Sequence, residues 1–128
     1  MDFRNKYLVN TIRILFGLFM LFSGVSGLMM GRDSPSIPEP MVVTTQVYWD
    51  TGIFHMIKVT EIVAGVMLVI GFLPALAAIF LAPIAIGVVV FNAMVAPAYV
   101  ITGVIVCLLD IYLGYVYWDK YKALFART

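Results

Sequence analysis

Three ionisable side chains, His55, Lys58 and Glu61, stand at i, i+3 and i+6 in GIFHMIKVTEIVAG, residues 52–65. On a helix that spacing spans about 120° of one face. An imidazole, a cation and a carboxylate on one face are the parts of a proton-handling or ligand-binding site. Gly65 follows Glu61 by one turn, so a neighbouring backbone can approach the same face. Lys ahead of Glu is the weaker order for a helical ion pair, and an intrahelical bridge alone explains the cluster poorly. Glu61 lies about 12 Å below Ile53 by helical rise, whereas His55 and Lys58 are near enough to the boundary to snorkel. Asn92 is a further candidate partner. Intramembrane ionisable residues are functional candidates by default, and the competing reading is a polar brace between helices.

Two more charges interrupt apolar runs. Arg13 shares a stripe with Gly17, Gly24, Gly27 and Gly31, all within about 40° of one line. Asp110 shares a similar stripe with Gly103, Cys107 and Gly114. By helical rise Asp110 sits about 12 Å, and Arg13 about 7 Å, inside the same end of the molecule. A buried charge costs about 2.5–3.5 kcal/mol on insertion scales, so an Arg13–Asp110 ion pair is expected. The alternative has Arg13 snorkelling to lipid phosphates while Asp110 is protonated or bonded locally.

The elements that must position these groups are helices in a bilayer. Of 128 residues, 63% are hydrophobic and 12% charged, with mean hydropathy +1.05. A water-soluble domain of this size leaves roughly 30% of its surface exposed and could not hide so much apolar area. The chain therefore reads as an all-α integral membrane four-helix bundle in one domain, 1–128, with the bilayer as its main partner. Spanning helices of about 20 residues fit 8–30, 53–73, 75–96 and 98–118. The first run also resembles a leader, but Met29-Met30 extend it and no A-x-A-like site closes it.

Between the first two spans, 31–52 reads as a loop. GRDSPSIPEP is rich in breakers, and MVVTTQVYWD suits a short strand or, better, an interfacial segment with Tyr48 and Trp49 at headgroup level. Pro74 suits the first turn of the third span, and Pro83 should kink it. Arg4, Lys6 and Arg13 at one terminus and Lys120, Lys122 and Arg127 at the other place both termini in the cytoplasm. The 31–52 loop then faces outward from the inner membrane.

Composition removes several functions. A net charge of +1 gives no reason to expect a nucleic-acid partner or a polybasic lipid patch. One cysteine excludes an intrachain disulfide or CxxC centre. One histidine excludes bis-histidine haem ligation, and the His/Cys set is too small for zinc. No metal site and no covalent cofactor is expected.

RILFGLFMLFSGVSGL (13–28) and KVTEIVAGVMLVIGFLPALAAIFLAP (58–83) resemble the DoxX-like family of small membrane proteins. The shared features are a basic residue, glycine, aromatics and a Ser-Gly pair, then Lys with Glu three later and a Gly-containing turn. The resemblance covers most of 7–118, and the 31–50 segment looks particular to this chain. It implies a likeness to the small membrane subunit of thiosulfate:quinone oxidoreductase, with Arg13, Lys58 and Glu61 at the family's polar positions. A redox-associated subunit is then the expectation, with quinone as ligand at Glu61, Lys58, Asn92 and His55 and a soluble oxidoreductase as partner. Two alternatives stand beside it: a proton-coupled carrier acting as a homo-oligomer, and a non-catalytic assembly protein. Catalysis by the chain alone is left open.

Overall fold

The computed structural model describes residues 5–32 and 39–125. Helix α1, Lys6–Met30, starts at Asn5, whose side chain accepts from the Tyr7 N–H at 2.9 Å, and it ends at Gly31, whose φ of +77° is open to glycine. The long helices α3, Ile53–Ile70, and α4, Pro74–Val95, are joined by a three-residue turn. Gly71, φ +76°, opens that turn, and the Phe72 N–H closes on the Met67 carbonyl at 2.9 Å. Pro74, lacking an N–H, starts α4 where none is needed. A single 3₁₀ turn, Pro97–Tyr99, leads into α5, Val100–Val116. A short helix α6, Trp118–Tyr121, and a 3₁₀ turn follow.

All four expected spans are present: α1, α3, α4 and, together with the Pro97–Tyr99 turn, α5 are each long and apolar enough to cross a membrane. α4 is continuous through Pro83. The expected loop is corrected. Residues 39–51 form a helix, α2, rather than a strand or irregular segment. Pro40 in its first turn suits a helix start, and Thr44 and Thr51 return their hydroxyls to the Pro40 and Val47 carbonyls at 2.9 Å each. Those bonds satisfy the polar side chains within the helix, and β-branched propensity, a few tenths of a kcal/mol per residue, does not prevent it. Of the breaker segment, 33–38 lie outside the described residues, as do Arg4 and Arg127.

Packing is most extensive between α1 and α3 and between α4 and α5, with α3 beside α4 and a lighter α1–α5 contact closing the ring. Along α1 from Gly17 to Gly27, the facing residues of α3 run backwards from Gly65 to Lys58, so the two are antiparallel. A Cβ on Gly17 would meet the Gly65 carbonyl at 2.8 Å, and one on Gly65 would meet the Gly17 carbonyl at 2.8 Å. Backbone lies on backbone there. Phe16, Leu68, Leu81 and Leu113 are fully enclosed at the centre. Large apolar side chains such as Phe22, Ile86 and Leu108 face outward, as lipid-facing positions do.

Candidate functional site

The glycine stripe of α1 brings it close enough to α3 for polar side chains of both to meet. A Cβ on Gly27 would collide with the Lys58 stem at 2.6 Å, so glycine there lets Lys58 lie across α1. The Lys58 ammonium then reaches Glu61 Oε2 at 3.2 Å, the Ser23 carbonyl at 3.4 Å and Ser23 Oγ at 3.5 Å. The Ser23 hydroxyl donates to Glu61 Oε2 at 3.2 Å. Three ammonium donors thus have three oxygens, and the Phe54 ring lies 5.4 Å from Nζ, within cation–π range. Glu61 is enclosed, 3% exposed, while Lys58 keeps 17%. The intrahelical bridge exists, but Ser23 of α1 makes it an interhelical one.

Ser23 is the residue that reading the sequence did not single out as a site residue. Its signal was the Ser-Gly pair, Ser23-Gly24, at the edge of the glycine stripe.

The other expected members divide. His55 stays near the cluster's rim, its ring 4.3 Å from Trp49 of α2 and 6.3 Å from Phe54. Asn92 does not join Glu61. Its amide donates to the Tyr99 carbonyl at 3.0 Å, at the N-terminal cap of α5, and so fastens the end of α4 to the start of α5. Near it Tyr48 meets Phe91 at 6.3 Å and ties α2 to α4. An Arg32–Asp50 fork, two bonds of 2.8 Å, ties the end of α1 to α2. Arg32 holds the Asp50 carboxyl below its usual value.

The expected Arg13–Asp110 ion pair does not form. Arg13 donates instead to the Leu68 carbonyl, one of the last four of α3, beside Gly71, where a Cβ would lie 2.7 Å from the guanidinium. A cation at a helix C-terminus satisfies an orphan carbonyl and meets the negative end of the dipole. Asp110 is buried on α5, and its Oδ1 accepts no hydrogen bond among the described residues.

Between α1 and α5 runs an apolar groove of about 210 Å³, lined by Ile12, Leu15, Phe16, Phe19, Ile105 and Leu109. Ile12, Phe16, Phe19 and Ser23 fall within about 60° on α1, which places Ser23 one turn beyond the groove on the same helix face.

Residues 8–96 match the family model described as DoxX. No curated protein and no solved structure matches the chain. The matched stretch runs from the first turn of α1 to the end of α4 and takes in Arg13, Ser23, Lys58 and Glu61. With those residues assembled on helices of membrane-spanning length, the chain belongs to the DoxX family of multi-pass membrane proteins.

Proposed function

We propose that this DoxX protein is a redox-associated membrane subunit that binds quinone and acts with a partner oxidoreductase, both termini lying on the cytoplasmic side of the inner membrane. The observation that carries the reading is the enclosed Ser23–Lys58–Glu61 cluster, with Ser23 one helical turn beyond Phe19 of an apolar groove. A quinone site needs an apolar slot, a donor for a carbonyl oxygen and a protonatable group nearby, and these residues fit it. When bound, quinone supplies a two-electron carrier that takes up protons on reduction, with electrons from the partner.

The chain's own residues handle position and protons. Lys58, the partly accessible member, releases its long bond to the Ser23 carbonyl and donates toward a quinone carbonyl oxygen instead. Glu61 holds or releases a proton at Oε2, and the Ser23 hydroxyl fixes that oxygen while accepting from Lys58. Phe16 and Phe19 keep the approach dry. Arg13 serves structure, not the ligand.

The test is purification in mild detergent with native lipid. Bound quinone is expected in the organic extract, with a soluble oxidoreductase copurifying. Added ubiquinone analogue raises the melting temperature of the wild type, and Glu61→Gln loses that shift. Lys58→Met binds the analogue at least about tenfold more weakly, since a hydrogen bond from a charged group contributes about 1.5–3 kcal/mol and 1.4 kcal/mol is tenfold. Absence of both quinone and partner overturns the reading. Substrate counterflow in proteoliposomes would instead make Glu61 the residue of a proton-coupled carrier. Wild-type behaviour of both variants in every assay would leave the cluster a packing brace.

A further inference from the structure

The end of the bundle that holds the termini shows large apolar side chains beyond the spanning helices. Trp118, Leu124 and Phe125 are exposed, the last two to 70%, and so are Phe72 and Leu73 in the turn before α4. Two exposed cations, Lys120 and Lys122, stand among them, with Asp119 3.4 Å from the Lys122 ammonium. Exposed apolar surface rimmed by charge marks a place where something binds.

Depth decides what covers it. The span Pro97–Val116 has 20 residues, about 30 Å of helix and so the thickness of the hydrocarbon core. The headgroup layer adds about 5–7 Å on each side. If α5 continued straight, Phe125 would stand about 13 Å beyond Val116, out in water. The chain instead leaves helical geometry at Tyr117, and Tyr121 turns inward. Its ring is buried, and its hydroxyl donates to the Ala75 carbonyl at 2.6 Å, in the first turn of α4. The Phe125 ring stacks on Trp118 at 5.5 Å, where a straight helix would set the two residues about 10 Å apart along its axis. Residues 118–125 are thus held close beneath the bundle, beside Phe72 and Leu73, at the level where membrane proteins carry their aromatic belts.

We propose that Trp118–Phe125 is an interfacial foot that binds anionic phospholipid. Trp118, Leu124 and Phe125 seat at the boundary between headgroups and acyl chains, and Lys120 and Lys122 take the lipid phosphates. Tyr121 is the tether: its bond to Ala75 keeps the foot in the headgroup layer. Two lysines fall short of a polybasic patch and set a modest preference. A lysine near an anionic surface contributes roughly fivefold in binding, and Asp119 offsets part of that. The foot stands apart from the Ser23–Lys58–Glu61 cluster and does not depend on quinone.

Trp118 fluorescence tests it, read in Trp49→Phe protein reconstituted in bilayers, with lipids brominated high on the acyl chain as quenchers. Brominated phosphatidylglycerol and phosphatidylcholine should both quench Trp118, the anionic lipid binding roughly fivefold more tightly at low salt. That preference should vanish in the Lys120→Gln/Lys122→Gln variant and at about 1 M salt, where screening is nearly complete. In Tyr121→Ala, which loses both ring and bond, lipid quenching should fall and quenching by aqueous iodide rise at least twofold. Should Trp49→Phe fail to fold, the difference between wild type and Trp118→Phe gives the same reading. Wild-type Trp118 quenched by iodide and not by brominated lipid overturns the foot. Equal binding of the two lipids, or a preference that survives loss of both lysines, overturns the anionic site. Unchanged quenching in Tyr121→Ala overturns the tether. A copurifying soluble protein that shields Trp118 from both quenchers makes the surface a protein-docking face and overturns the proposal as well. Bound quinone bears on none of these results.

Discussion

Arg13 shows how one side chain can be read correctly as important and wrongly as to why. Its charge needs a partner in the bilayer, and a carboxylate on another helix is the partner a sequence can display. The actual acceptor is the Leu68 carbonyl, a backbone atom with no identity in the sequence. Arg13→Ala should cost about 1.5–3 kcal/mol, the range for a hydrogen bond to a charged group. Since Arg13 and Asp110 do not pair, Arg13→Ala and Asp110→Asn should add within roughly 0.3–0.5 kcal/mol in equilibrium unfolding of the double variant. Coupling well above that would restore the ion pair. Lys58 and Glu61 were legible because their spacing put them on one face and their charge made them expensive. Ser23 was not, because a hydroxyl in a membrane helix is cheap and common until a neighbour gives it work.

At the scale of elements, glycine decides where helices meet. Gly17 and Gly65 each face the other's carbonyl, so neither position has room for a side chain. Gly65→Leu should separate α1 from α3 and destabilise by at least the roughly 1–3 kcal/mol typical of overpacking. It should also weaken the Ser23–Glu61 bond, which on the proposed quinone reading shows as lost stabilisation by the added analogue with no site residue substituted. The glycine stripe was visible in the sequence, and its partner face was half visible through Gly65. α2 was hidden: its β-branched run and flanking prolines argue locally against helix, and its anchors, Tyr48 on Phe91 and Trp49 on His55, are tertiary. Acid should loosen it. Asp50 is held below its ordinary 3.8, so the Arg32 tether is fully present above that value and is lost as pH falls through the lowered one. Trp49 fluorescence in a Trp118→Phe background should report that loss, and Asp50→Asn should remove the transition.

Over the whole molecule, composition carried the most information, because the solvent is lipid. The outward ring of Phe22, Ile86, Leu108 and their neighbours is what the hydropathy demanded, and four spans follow from length and composition together. Orientation rests on where the basic residues fall. A membrane-impermeant thiol reagent should label Thr51→Cys in intact cells and Lys120→Cys only after permeabilisation; the opposite pattern reverses the topology. The Arg13–Leu68 bond has a consequence for how the chain is made. Its two residues are 55 positions apart. At about 5–20 residues per second of synthesis, the first helix waits roughly 3–11 s for the carbonyl that satisfies it. Through that interval its guanidinium has to be sheltered by the insertion machinery or by lipid headgroups, which makes the nascent first hairpin the stage at which quality control can act on this protein.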